Sequence, residues 1–189
     1  KLDLSDVRLG DSIATNGVCL TVVQQLADGY VADVSAETVS LTGFANYKVG
    51  TKVNLEKAVT PTTRLGGHMV SGHVDGIATV EQRLARGQAI EFWLAAPTEL
   101  VRYIAHKGSI TIDGVSLTVN EVDGHRFRLT IVPHTAGETT LVDLKAGDKV
   151  NIEVDLIARY LERLMRFDTK ETQGGGVTME MLARAGFVR

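Results

Sequence analysis

The chain has 189 residues, with 20 Lys and Arg against 23 Asp and Glu and a net charge of −3. That balance gives no electrostatic case for nucleic acid or for an anionic membrane surface. A single cysteine leaves no internal disulfide and suits a reducing compartment, and no apolar run approaches the ~20 residues of a membrane span, so the expected location is the cytoplasm.

Residues 1–10 are polar with scattered leucines. From Ser12 onward, short runs rich in Val, Ile and Thr alternate with turn signals: Asn16-Gly17, Asp28-Gly29, Val49-Gly50, Asp113-Gly114, Asp123-Gly124 and Ala146-Gly147. Asn-Gly and Asp-Gly between β-branched runs are strong hairpin signals because both turn positions tolerate positive φ. Strands punctuated this way predict an antiparallel sandwich or small barrel. VTPTTRLGG reads as a polar linker, HMVSGHVDGIATVEQ and AIEFWLAAP as a strand pair, and Thr98–His106 as a short helix. After Asp155 the period changes. Leu156, Ile157, Tyr160, Leu161, Leu164 and Met165 recur at helical spacing with Asp155 as N-cap. DTKETQGGGV then reads as a flexible linker, and VTMEMLARAGF as a second short helix capped by Thr178 and stopped at Gly186.

A shift of 97 positions lays the chain on itself. Ser12, Ile13, Gly17, Val18, Leu20, Thr21 and Val22 fall on Ser109, Ile110, Gly114, Val115, Leu117, Thr118 and Val119. Further on, Thr38 meets Thr135, and Lys52-Val53-Asn54-Leu55-Glu56 meets Lys149-Val150-Asn151-Ile152-Glu153. One offset held over separated blocks means a duplicated unit. The repeat predicts that the opening strands of the first unit, the counterparts of those after Met69, lie outside this sequence. The expected divisions are 1–60, 61–155 and a helical segment 156–189.

Where the copies differ, Cys19 stands for Ser116, Asn16 for Asp113, and Glu37-Thr38 for His134-Thr135. Matched small polar residues on duplicated strands suggest two related pockets; alone, Ser116 and Thr118 would read as satisfying turns and neighbours. Cys19 is open between nucleophile and buried small hydrophobe. His68 and His73 flank a glycine-bearing turn. Their spacing and the lack of a third ligand cluster argue against a metal, leaving proton transfer or a structural hydrogen bond. Gly66-Gly67 precedes no helix and is a poor phosphate cradle.

GDSIATNGVCLTV, GGHMVSGHVDG, KGSITIDGVSLTV, Pro133-His134-Thr135 and the NIEVD ending at Asp155 resemble riboflavin synthase of the alpha-chain type, the duplicated lumazine-binding barrel family, over Leu9 to Met165. The resemblance implies an all-β fold: two tandem six-stranded Greek-key barrels, the first lacking its opening strands here, plus a C-terminal α-helix. It implies a homotrimer held by that helix, with the active site between the first barrel of one subunit and the second of its neighbour. The implied reaction is a transferase dismutation in which one 6,7-dimethyl-8-ribityllumazine gives a four-carbon unit to another, without metal or organic cofactor. Lumazine synthase enters as a candidate partner.

By residue match, the first pocket is expected to use Cys19, Leu20 and Thr21, with the strand Asp33, Val34, Ser35, Ala36, Glu37 and Thr38. The second is expected to use Gly72, His73 and Val74, then Lys107, Ser116, Leu117 and Thr118, with the strand Thr130, Ile131, Val132, Pro133, His134 and Thr135. Expected catalytic residues are His73 for proton transfer paired with Ser116, Cys19 at the acceptor side, and Asp155 as an orienting group. Lys107 is expected to stabilise negative charge on the ring. The alternative is a non-catalytic lumazine- or flavin-binding protein of the same fold. Polar sets at both matched positions favour the enzyme. A nicotinamide-linked flavin oxidoreductase is weaker, since no G-x-G-x-x-G turn opens a helix.

Overall fold

The computed structural model describes residues 2–172 and 179–186. They divide into two compact units, Lys1–Leu156 and Ile157–Arg189. Within the first unit, the duplication seen in the sequence is repeated element by element. β1 (Ser12–Thr15), β2 (Val18–Gln25), β3 (Tyr30–Ala32), α1 (Ala36–Leu41) and β4 (Leu55–Lys57) form the first half. β5 (Gly76–Arg86) and β6 (Ala89–Ala95) follow. Then come β7 (Ser109–Ile112), β8 (Val115–Asp123), β9 (Arg126–Ile131), α2 (Pro133–Glu138) and β10 (Lys149–Val154).

β1 and β7 differ by 97 at both ends, as do α1 and α2. Even the irregularities repeat: β2 shifts register between Val22 and Gln24, and β8 between Val119 and Glu121. Asn16 (φ 46) and Gly17 (φ 79) turn β1 into β2, and Asp113 (φ 45) and Gly114 (φ 83) turn β7 into β8. Two successive left-handed residues make the mirror-image turn whose twist suits a tight hairpin.

The second half is a closed barrel in the order β10-β5-β6-β9-β8-β7. Its interior is filled by side chains including Ile110, Ile112, Phe127, Leu129, Ile131 and Ile152, each at most 1% exposed. Burial of each such side chain is worth about 1.5–3 kcal/mol. The first half is a four-stranded sheet, β3-β2-β1-β4. This is the barrel order β9-β8-β7-β10 without counterparts of β5 and β6 among the described residues. Its own small core is Val7, Ile13 and Val22, with Leu2, Leu4 and Tyr30 against it.

The halves meet through a reciprocal hydrogen-bond set. Asn54 Nδ2 donates to the Asp113 carbonyl at 2.9 Å, and Asn151 Nδ2 donates to the Asn16 carbonyl at 2.9 Å. Asn54 Oδ1 accepts from Thr140 N–H and Asn151 Oδ1 from Gly43 N–H, both at 2.8 Å. Gly17 and Gly114 lie back to back on this axis. A Cβ on Gly17 would sit 2.7 Å from Gly114 N, and one on Gly114 would sit 2.8 Å from Gly17 N.

Beside these bonds the symmetry breaks at Asn16 and Asp113. Asn16 Nδ2 donates to Tyr47 Oη at 2.7 Å, whereas Asp113 presents a carboxyl at the matched position and Leu144 stands where the first half has Tyr47. Asp113 Oδ1 accepts from Asn151 N–H at 2.8 Å, and its side chain is buried. Desolvation raises it from the ordinary 3.8 to about 7, opposed by the Asn151 hydrogen bond. Burial likewise raises the Tyr47 hydroxyl, partly opposed by the Asn16 hydrogen bond.

Several segments differ from their sequence reading. Asp33–Thr38 is not a strand, and Thr130–Thr135 is one only through Ile131: β3 ends at Ala32, β9 at Ile131, and the remainder turns into α1 and α2. The physical cause is helix-start chemistry. Ser35 Oγ accepts from Thr38 N–H at 3.0 Å as an N-cap, and Pro133 occupies a first helical position. Thr98–His106 holds only a 3-10 turn at Val101–Tyr103. HMVSGHVD precedes the strand, which starts at Gly76.

In the second unit, α3 (Leu156–Thr172) carries Ile157, Tyr160, Leu161, Leu164 and Met165 with side chains more than half exposed. It begins directly after Asp155 and runs into the stretch read as a linker. The rest of that stretch and Thr178 lie outside the described residues. α4 (Met179–Arg184) ends before Gly186 (φ 80).

Candidate active site

Strand alternation decides which side chains face out. Ile110 and Ile112 point into the barrel, so Ser109 and Thr111 point outward. The register pairs Thr111 with Ser116 and Ser109 with Thr118, and it pairs Glu153 with Thr111. A row Glu153–Thr111–Ser116 therefore crosses three strands on the barrel's outer face. The first half has the matching row Glu56–Ala14–Cys19. Cys19 and Glu56 are exposed, and desolvation raises the Glu56 carboxyl.

The loop before β5 lies on the second row. His68 Nδ1 is 2.8 Å from Ser116 Oγ, and His68 Nε2 is 3.2 Å from Thr111 Oγ1. The His68 N–H also leans on Ser116 Oγ at 3.4 Å. In the tautomer with Nδ1 unprotonated, the Ser116 hydroxyl donates to Nδ1 and Nε2–H is directed at Thr111 Oγ1. This arrangement is a hydroxyl with a base and an orienting group. Gly67 permits the close approach, because a Cβ there would overlap Ser116 Oγ. The sequence reading paired His73 with Ser116, and the structure places His68 there instead. His73 is exposed, one residue beyond Gly72. Two facts invisible at the sequence level decide this: Thr111 shares a face with Ser116, and the Gly66-Gly67 turn folds back over both.

Further along the loop, Glu153 is 3% exposed and accepts three hydrogen bonds: Ser71 N–H and Ser71 O–H at 2.7 Å, and Gly72 N–H at 3.1 Å. Asp75 closes the loop, its Oδ2 accepting from Val154 N–H at 2.7 Å. Gly72 (φ 77) faces the other half, where its carbonyl accepts from Cys19 N–H at 2.9 Å. A Cβ at Gly72 would lie 2.7 Å from Cys19 Cβ. Glu153 and Thr111 were not among the expected site residues, and His68 was open between proton transfer and a structural hydrogen bond. The NIEVD motif carried Glu153 in plain view, but as one of a strand's alternating positions.

The other expected residues distribute as follows. Thr21, Thr118 and Lys107 are exposed, Lys107 in a left-handed conformation (φ 64). Leu20 and Ile131 are buried at 7% and 1%, so they offer a ligand only backbone, and Leu117 packs partly against the core. Asp33, Ser35, Ala36 and Glu37 are exposed around the start of α1, with Val34 and Thr38 half-buried. Val132, Pro133 and His134 are exposed around the start of α2, with Thr130 and Thr135 half-buried. Thr38 and Thr135 sit at the same turn of their helices, each giving its carbonyl to a threonine hydroxyl four residues on, at 2.7 Å. Val74 is half-buried behind His73, and Asp155 stands between β10 and α3.

Two stretches, residues 1–58 and 71–155, match the model of the lumazine binding domain. Over 187 residues the chain is 58% identical to a riboflavin synthase of Photobacterium phosphoreum, covering 99% of this chain and 86% of that one. It is 40% identical to that of Bacillus subtilis over 184 residues, 97% of this chain and 86% of the relative. Among solved structures, LumP complexed with 6,7-dimethyl-8-(1'-D-ribityl) lumazine aligns with a TM-score of 0.72 at 28% identity, over 80% of this chain and 81% of that one. LumP complexed with riboflavin aligns at 0.74, also at 28% identity, over 80% and 82%. With both halves matched by the domain model and such identity along nearly its whole length, the chain belongs to the riboflavin synthase family of lumazine-binding proteins.

Proposed function

We propose that this protein is a riboflavin synthase, a transferase that converts two molecules of 6,7-dimethyl-8-ribityllumazine into riboflavin and 5-amino-6-(ribitylamino)uracil. The observation that carries the reading is the 58% identity to a riboflavin synthase over 99% of the chain. The reaction joins two copies of one molecule, and a duplicated fold offers two copies of one pocket. Holding both reactants face to face supplies up to ~7–11 kcal/mol of the barrier reduction in favourable cases.

In this reading the tandem organisation is two lumazine-binding barrels, about 1–60 and 61–155, followed by an oligomerisation segment from 156. One lumazine lies on the first-half row beside Cys19 and Thr21, with the start of α1 around it. The other lies by Ser116 and Thr118, near His73, Lys107 and the start of α2. The work left to side chains is proton removal from an acidic ring methyl and addition of a nucleophile to the neighbouring ring carbon. Ser116, with His68 as its base, and the exposed His73 serve the second pocket in this reading, supported by the 2.8 Å His68–Ser116 contact. Cys19 serves the first, Lys107 faces developing negative charge, and Asp155 orients at the base of α3. The exposed apolar stripe of α3 supports a homotrimer, with each site shared between neighbouring subunits. The location is cytoplasmic, and lumazine synthase is the proposed partner.

The test is to supply dimethylribityllumazine and follow riboflavin by absorbance. One riboflavin formed for every two lumazines lost is the expected result. Saturable binding without turnover would instead make the chain a binding protein, a reading favoured only by the likeness to ligand-bound LumP.

A further inference from the structure

We propose that Glu153 is a positioning residue for the reaction, fixing through the Ser71–Gly72 peptide both the His68–Ser116 pair in one half and the wall against Cys19 in the other. The inference rests on the synthase reading for its catalytic part only. Its geometric part stands on the hydrogen bonds themselves.

Glu153 is a carboxylate on the outer face of a barrel strand, yet it is almost wholly buried, and the loop is what covers it. Both its oxygens point at that loop. Oε1 takes the amide and hydroxyl of Ser71, and Oε2 takes the amide of Gly72. Two consecutive backbone amides held by one carboxylate fix the orientation of the peptide between them. From that peptide the chain leads back to His68, seated on Thr111 and Ser116, and forward to His73. The carbonyl of the same Gly72 is bound across the half-to-half boundary by Cys19 N–H. Gly72 is thus gripped from both sides, and its left-handed backbone and lack of a Cβ are what let it fit. Glutamine is not an equivalent replacement. Its single oxygen can still accept from Ser71, but its amide turns a donor toward the Gly72 N–H.

The experiment compares wild type, Glu153→Gln, Gly72→Ala and Ser71→Ala. Cys19 is the only cysteine in the chain and is exposed, so its alkylation by iodoacetamide reports the loop's position without requiring turnover. For Glu153→Gln the expected result is a fall in kcat of tenfold or more, KM changed less than threefold, and Cys19 alkylated several times faster. Gly72→Ala, which pushes the loop off Cys19 directly, should give the same pattern. Ser71→Ala removes one of the three hydrogen bonds and leaves the carboxylate in place. It should shift both readouts in the same direction by a smaller factor, and it stands in if Glu153→Gln does not fold. Wild-type kcat and wild-type alkylation in folded Glu153→Gln, or in Ser71→Ala and Gly72→Ala together, would overturn the proposal. An increase in KM alone would also overturn it, since that would make Glu153 a ligand-binding residue. If the wild-type protein forms no riboflavin, the synthase reading falls, while the alkylation series still decides whether Glu153 holds the loop.

Discussion

Asp113 shows how one atom's difference between repeats becomes a measurable property. In the first half the amide of Asn16 uses its oxygen on Asn54 N–H and its nitrogen on Tyr47. In the second half the carboxyl keeps the first bond and has no amide nitrogen to place. Its folded value of about 7 lies above the unfolded one. The folded state therefore holds more protons than the unfolded state between about pH 4 and 7, and stability declines across that window, by up to about 4 kcal/mol, before levelling above it. In urea melts from pH 5 to 9, Asp113→Asn should flatten this slope. The variant should gain on wild type steadily from pH 5 to 7, where wild type must take up a proton to fold. It should be more stable at pH 8, where wild type buries a charge. Parallel curves would contradict the assignment.

A second expectation at this scale separates the two histidines. His68→Gln and Ser116→Ala interrupt one hydrogen-bonded unit, so each should lower kcat by about 10²-fold or more, and the double variant should lose little beyond either single. His73→Gln should act additively with either. A multiplicative effect of the His68 and Ser116 substitutions would mean that they do not act together.

At the level of elements, the sequence was most legible where geometry is local. Both mirror-image turns stood in Asn16-Gly17 and Asp113-Gly114, since few other dipeptides accept two left-handed residues in succession. The period of α3 was equally plain. The segments after β3 and β9 were assigned to strands by residue match to the family, while a short helix is decided by its first residues. Ser35 and Pro133 held that information, as an N-cap and as a first helical residue. The loop over Ser116 was the least legible. Its course depends on which face of β7 carries Thr111, a property of register rather than of any local pattern. It also depends on Gly67, whose role is purely spatial. Gly67→Ala would place a methyl where Ser116 Oγ lies. Because Gly67 is exposed, the loop can shift aside, so kcat should drop with the melting temperature nearly unchanged. An equal loss of stability would show the loop to be part of the fold's foundation.

For the molecule as a whole, the offset of 97 survives from sequence to turns, bulges, helix starts and hydrogen bonds, while the closed barrel of the second half was anticipated from hairpin punctuation and the family resemblance. The cross-bonds of Asn54 and Asn151 tie the halves into one compact unit. Asn54→Ala leaves Thr140 N–H and the Asp113 carbonyl without their partner, at a cost of about 1–3 kcal/mol in denaturant melts. Asn151→Ala should cost a similar amount for the mirror-image reason.

Gly17 and Gly114 touch each other across that boundary, and the contact has a bearing on how the two repeats can diverge. A methyl on either glycine pushes apart the same two backbones. Once they have parted, the other position has room. The left-handed strain of each substitution remains its own, but the cost of separation is charged a single time. Gly17→Ala and Gly114→Ala should therefore each destabilise the protein strongly, and together by less than the sum of the two. The repeats are then epistatic at this point: a history that has already accepted one change meets less resistance to the second, and neither half is free to vary without regard to the other.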